Sequence, residues 1–398
     1  MAVINPTNYY FLSSSPEPTK LHMDTEPHLF SYRDFDDGND YYYLEIKDGD
    51  ALGSFPLRSL IDWELILKIR DENDPTYLII CNSHEAFDSV VDPIYRYVIL
   101  SHHIPAEKVI LMTGSFDIAN TIEEASFKFR RGMLKAELVL DFETAIQNTY
   151  VNYDSFAGRP FRDVDTLKHK HYDKKYLNFN RRWRAPRPTF VALLVSRGLL
   201  DDGYVSLAPS DCGNKWPDFW DNLLHINHEF PQILEPITEH KGEIINLPPL
   251  YLDTEDLVTN RAMLSDETGY LYENTYFSLV AETNFYTCHE GFETSRFLSE
   301  KAFKPIVFKH PFLFISTPGI LGALKQIGYK TFDPVINESY DHIENDGDRM
   351  LAILDETERL CRLDEKQLSE YLTTCKDICD YNYNLFMNKK QFTHKLNY

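Results

Sequence analysis

The sequence predicts an α/β protein made of two Rossmann-like halves of similar size, each built on a mostly parallel sheet. Three observations predict it. Short apolar runs recur: TYLIIC at 76–81, KVILM at 108–112, YFSLVA at 276–281 and FLFI at 312–315. Stretches with helical apolar spacing separate them, the alternation expected of βαβ units. A polar, basic stretch at 155–175 divides the pattern in two.

Each element follows from local chemistry. Residues 1–25 contain SSSPEPT and read as a loop-rich lead-in. The run 76–81 is a buried strand, and the polar loop Asn82, Ser83, His84, Glu85 opens a helix after it. YRYVIL at 95–100 carries the apolar face of that region. The strand at 108–112 ends in Thr113-Gly114-Ser115, and 118–128 has helical character. In the second half, YLNFN at 176–180 is a strand, followed by a turn bearing Arg181, Arg182, Arg184 and Arg187 among Pro186 and Pro188. Residues 189–197 form a helix stopped by Gly198. A short strand at 204–207 comes next, and 242–246 runs into the Pro248-Pro249 break. The strand at 276–281 is followed by a helix at 294–306 and a strand at 312–315. The helix at 318–326 places Ile320, Leu321, Leu324 and Ile327 on one face before Gly328. Residues 348–361 and 365–380 are closing helices. The predicted division is an N-terminal half (1–165), a C-terminal half (166–345) and closing helices (346–398). A ligand cleft is expected between the halves, beyond the carboxyl ends of the strands.

Composition bounds the function. The 398 residues are 43% hydrophobic and 26% charged, which excludes a disordered, collagen-like or coiled-coil chain. The net charge of −22 argues against non-specific coating of nucleic acid or anionic membrane. Among the six cysteines only Cys375 and Cys379 are close, at a helical i, i+4 spacing, so reduced thiols are expected. No signal-peptide pattern occupies the first 20 residues, and the longest purely apolar stretch, 190–195, is far too short to span a membrane. A cytoplasmic enzyme is the expectation. Aromatic residues, at 14%, fit sugar or base stacking as well as Tyr-rich cores.

Two places could carry chemistry. Residues 159–188 hold ten Lys/Arg against three acids. Their arginines fall between a strand and a helix N-terminus, where free N–H groups already favour anions. Guanidinium forks there suit a diphosphate; a solvated basic face is the alternative. The second place is the end of the 276–281 strand, which delivers Glu282, Thr283 and Asn284 ahead of Ser299, Glu300 and Lys301. A carboxylate can accept two ribose hydroxyls while a neighbouring ammonium meets phosphate. Weaker motifs are Asp163-Val-Asp165, a DxD outside any strand-rich context, and His225/His228, whose spacing is wrong for a helical zinc pair. The chain has no G-x-G-x-x-G, P-loop or G-x-S-x-G pattern, which lowers dinucleotide redox, Walker-type and α/β-hydrolase chemistry in rank.

The stretch YFSLVAETN, a loop, then FLSEKAFKPIVFKHPFLFIST resembles the donor-binding motif of the α-1,3-fucosyltransferase family. Glu282 stands at the motif's first Glu, and 297–301 stand on its Tyr-Val-Thr-Glu-Lys, with Phe297 in place of Tyr. NRRWRAPR (180–187) and KTFDPVINESYD (330–341) are similar to virus- and phage-encoded glycosyltransferases. The resemblance covers about 165 residues, 175–341. It implies a GT-B glycosyltransferase without a metal or resident cofactor, whose substrate is a nucleotide-diphosphate sugar bound by the C-terminal half. Implied donor-binding residues are Arg181, Arg182, Arg184, Arg187, Glu282, Asn284, Ser299, Glu300 and Lys301. The acceptor, a glycan or a hydroxymethylated base in DNA, would need a general base from the N-terminal half. Glu85, His84 and Asp88 are the candidates, and direct displacement would invert the anomeric centre. Rival readings are a nucleotide-sugar-binding module without activity and a nucleic-acid-binding protein using 181–187.

Overall fold

The computed structural model describes residues 9–11, 19–20, 39–45, 63–82, 88–140, 142–144, 146–147, 174–180, 183–184, 186–207, 216–252, 266–289, 292–293, 295–389 and 393–395. Its strands are β1 (Tyr9–Phe11), β2 (Thr19–Lys20), β3 (Asp40–Glu45), β4 (Thr76–Asn82), β5 (Val109–Thr113), β6 (Lys135–Val139), β7 (Tyr176–Asn178), β8 (Gly203–Val205), β9 (Phe277–Ala281), β10 (Cys288–His289), β11 (Phe292–Glu293), β12 (Phe312–Ile315) and β13 (Thr393–Lys395). The principal helices are α1 (Trp63–Arg70), α2 (Ile118–Phe129), α3 (Pro186–Ser196), α4 (Trp216–Ile226), α5 (Pro231–Glu239), α6 (Lys241–Ile245), α7 (Asp266–Glu273), α8 (Glu300–Val307), α9 (Ile320–Gln326), α10 (Asp346–Cys361) and α11 (Glu365–Asn388). The chain forms two compact units. Unit 1 comprises 1–144, 290–297 and 389–398; unit 2 comprises 145–289 and 298–388.

Unit 1 is built on a seven-stranded sheet in the order β13-β6-β5-β4-β3-β1-β2. The strands from β1 to β6 run parallel, and β2 and β13 are antiparallel at the two ends. The apolar run of β5 is buried at every position, as a central parallel strand requires. Ile66 and Ile69 of α1, Ile94, Tyr95 and Val98 of the helical stretch after β4, and Ile118 and Ile122 of α2 cover one sheet face through Leu78, Ile80, Val109 and Leu111. Each such side chain contributes about 1.5–3 kcal/mol on burial.

Unit 2 contains a four-stranded, all-parallel sheet in the order β12-β9-β7-β8. Both β9 and β12 are buried throughout. Helix α3 is buried from Pro186 to Val195, which explains an apolar run with no amphipathic stripe. Helices α10 and α11, expected as a separate closing segment, group with unit 2.

The mixed α/β architecture with parallel sheets is the one predicted, and several elements differ in detail. The expected lead-in contributes β1 and β2 to the unit 1 sheet. The helix expected at 294–306 begins only at Glu300, where Ser299 caps it. The helix expected from 318 begins at Ile320, because Gly319 takes a left-handed φ of 76° just before it. Helix α11 continues to Asn388 rather than 380. The predicted domain boundary near 165 lies outside the described residues.

Candidate functional site

The carboxyl edge of the unit 2 sheet gathers most of the predicted donor residues. Glu282, directly after β9, is fully buried. Its carboxylate accepts from the Ser299 hydroxyl at 2.6 Å, from Ser299 N at 3.1 Å and from Thr283 N at 3.2 Å. Burial raises its pKa, while the Lys301 charge and the Ser299 hydrogen bonds pull the other way. Glu282 therefore anchors the start of α8. Ser299 is the N-cap: its hydroxyl oxygen accepts from Lys301 N at 3.3 Å and from Lys301 Nζ at 2.9 Å.

Glu300 and Lys301 are the partly exposed end of this cluster. Their side chains form an ion pair of 3.0 Å at 21% and 24% exposure. Burial alone would raise the Glu300 pKa, but the ammonium groups of Lys301 and Lys304 outweigh it and hold the carboxyl down at about 2. The result is a carboxylate held ionised at neutral pH beside an ammonium at the start of α8. That pairing can accept vicinal hydroxyls and compensate a phosphate at once.

The arginine cluster is only partly placed. Arg181 and Arg182 lie outside the described residues. Arg184 is exposed. Arg187 departs from expectation: it is 4% exposed, because it sits in the buried first turn of α3. Its N donates to Arg184 O at 2.9 Å, and its Nη2 lies 3.5 Å from Ala281 O, one residue before Glu282. Arg187 thus braces the strand end. Asn284 holds the loop through its carbonyl, which accepts from Ser316 Oγ at 3.3 Å.

A second arginine, which no sequence motif marks, organises the same edge. Arg349 of α10 is 1% exposed. It donates to Phe285 O at 2.6 Å, Ser316 O at 3.0 Å and Ile343 O at 2.8 Å, and pairs with Asp346 at 2.5 Å. Asp346 in turn accepts from Thr287 N at 3.1 Å. The loops after β9 and β12 are thereby tied to one helix N-terminus. The first turn of α9 is filled from within: Asp341 Oδ1 accepts from Leu321 N at 3.2 Å, and Asp341 O from Gly319 N at 2.7 Å.

In unit 1 the predicted bases His84 and Glu85 lie outside the described residues, and Asp88 is described. Asp88 follows β4, and its Oδ2 accepts from Thr121 Oγ1 of α2 at 3.3 Å. Burial pushes its pKa up to about 6; the Ser115, Thr121 and Ser295 hydroxyls oppose that rise, and the Asp117 charge adds to it. Asp117 is itself held by Arg296, whose Nε donates at 2.9 Å and whose backbone N donates at 2.7 Å. Phe116 N donates to Arg296 O at 3.1 Å. The segment around 295–297 therefore packs across the loop after β5, beside Asp88.

Among the described residues, no cluster of three or more His, Cys, Asp or Glu is arranged to hold a metal ion, and no helix is long and apolar enough to cross a membrane. The stacked His225 and His228 rings form no such group.

No family model matches the sequence, and no curated protein matches it. Solved structures align with it weakly. One is a trehalose-6-phosphate synthase studied with bisubstrate glycomimetics, at 11% identity over 88% of this chain and 72% of that one, with a TM-score of 0.40. Another is a UDP-forming α,α-trehalose-phosphate synthase from Burkholderia vietnamiensis, at 8% identity over 88% and 70%, with a TM-score of 0.37. The trehalose-6-phosphate synthase OtsA aligns at 9% identity over 96% and 97%, with a TM-score of 0.37. Likeness at this level assigns neither a reaction nor a substrate to this chain.

Proposed function

We propose that the chain is a glycosyltransferase of GT-B type that moves a sugar from a nucleotide-diphosphate donor to an acceptor hydroxyl. The carrying observation is the ionised Glu300 beside Lys301 at the carboxyl edge of the unit 2 sheet. Glu300 accepts the vicinal ribose hydroxyls of the donor. Lys301, with Arg184, compensates the charge that grows on the diphosphate as its bond to the anomeric carbon breaks. Fixed cations supply this stabilisation through the chain's own side chains.

Asp88 of unit 1 is the general base. A carboxyl whose pKa stands near 6 is ionised at neutral pH and still basic enough to take the acceptor's proton. The acceptor oxygen bonds to the anomeric carbon as the diphosphate leaves, so a single displacement inverts that carbon. The acceptor is a hydroxyl on a glycan or on a hydroxymethylated DNA base.

The test is transfer and hydrolysis from a panel of UDP-, GDP-, CDP-, ADP- and dTDP-linked sugars by the wild type and by Lys301→Ala. The wild type is expected to turn over at least one donor, and Lys301→Ala to lose at least about tenfold in kcat/KM. Nucleotide binding without turnover of any sugar, across glycan and DNA acceptors, refutes the enzyme reading. A steep fall of activity with salt marks a DNA acceptor; indifference to salt marks a glycan.

A further inference from the structure

Among the described residues, two buried polar atoms at the carboxyl edge of the unit 2 sheet have no hydrogen-bond partner: Asn180 Oδ1 and Thr317 Oγ1. The residues are 1% and 2% exposed. Buried polar groups are nearly always paired, so each such atom calls for an explanation. Their positions are related by the sheet. Asn180 lies two residues past β7, and Thr317 two residues past β12. Those strands are the two neighbours of β9, whose end carries Glu282. The two atoms therefore flank the strand end that anchors α8.

The hydrogen-bond relay fixes which end of the Asn180 amide is unpaired. Leu279 O can only accept, so Asn178 points its Nδ2 there, at 2.8 Å. Asn178 is left with Oδ1 as its other terminus, and this oxygen accepts from Asn180 Nδ2. Asn180 thus keeps its carbonyl oxygen unpaired. Its backbone is fixed as well, since Asn180 N donates to Ser206 Oγ at 2.9 Å.

An amide oxygen only accepts. Ionised phosphate oxygens also only accept, so Asn180 is unsuited to the diphosphate and suited to a neutral hydroxyl. Thr317 can both donate and accept, which matches a second hydroxyl on the same ring. We propose that Asn180 and Thr317 bind hydroxyl groups of the sugar carried by the donor nucleotide. This assignment rests on the donor-site reading above. Glu300 and Lys301 then hold the nucleotide, and the two flanking strand ends select the sugar. A hydroxyl left unmatched there makes a donor a poor one, because the protein's own buried groups stay unpaired.

The test is calorimetric titration of UDP-, GDP- and dTDP-hexoses, each beside its own nucleoside diphosphate, into the wild type, Thr317→Val, Thr317→Ser and Asn180→Ala. Thr317→Val removes only an unpaired hydroxyl, so the melting temperature of the unliganded protein stays the same or rises. The affinity of Thr317→Val and Asn180→Ala for the bound nucleotide sugar falls about tenfold, while affinity for the nucleoside diphosphate is unchanged. Thr317→Ser restores sugar-nucleotide affinity. Equal losses for sugar nucleotide and diphosphate overturn the sugar assignment, as does full affinity in both Thr317→Val and Asn180→Ala. Either result leaves the donor-site reading standing. A wild type that binds none of the pairs overturns both.

Discussion

Ser299 donates its hydroxyl proton to Glu282 at 2.6 Å, and the same oxygen accepts from the Lys301 ammonium at 2.9 Å. One hydroxyl therefore links the anchor of α8 to its reactive end. Ser299→Ala removes the cap and leaves a fully buried carboxylate short of a donor. The expected loss is about 2–4 kcal/mol of stability, read from urea unfolding, with Ser299→Thr losing much less. Donor affinity falls with it, because Lys301 loses its fixed position.

Asp88 predicts opposite responses of stability and activity to pH. Its carboxyl is raised from 3.8 to about 6, so the folded state holds its proton longer than the unfolded chain. Stability from this group is full below about pH 4 and is lost as pH climbs to about 6, a cost on the order of 3 kcal/mol at neutrality. Asp88→Asn is expected to be more stable than the wild type at pH 8, yet to lose at least about a hundredfold in transfer. In the wild type kcat/KM rises through pH 6. Asp117→Asn removes the like charge and leaves Arg296 uncompensated, so the acid limb of that profile moves to lower pH. An acid limb that stays in place in Asp117→Asn would sink the assignment of Asp88.

Arg349 predicts a structural failure with a functional consequence. Its guanidinium serves four carbonyls and Asp346 in a nearly dry site. Arg349→Met strands these acceptors and leaves the Asp346 carboxylate without its cation. A loss of about 3–5 kcal/mol is expected in denaturant unfolding. Arg349→Lys keeps the charge and cannot span the fork of acceptors, so it recovers only part of the loss.

The strands β4, β5, β9 and β12 were legible because a strand buried on both faces writes itself as a mostly apolar run, interrupted in β9 only by the small Ser278. β6, KAELV, was not, because Glu137 interrupts the run although it is 9% exposed. Helix α8 starts six residues later than the sequence predicts because contacts distant in sequence fix 296–299: Arg296 is bound to Asp117, and Ser299 to Glu282. Ser299, Glu300 and Lys301 were legible as a motif. Arg187 carried the right charge, but the depth to which α3 sinks depends on the whole unit. Asn180 and Thr317 fall inside the stretches 180–187 and 297–317, but residue type alone does not single them out there, since what distinguishes them is an unpaired buried atom.

The last described strand, β13, pairs antiparallel with β6, bringing Thr393 beside Val139. A ribosome releases β6 long before it releases β13. Through most of synthesis the nascent N-terminal sheet bears a raw, unzipped border, open to adhesion with other chains. Deleting residues 393–395 would make that transient hazard permanent, although those residues lie far from β6 in the gene.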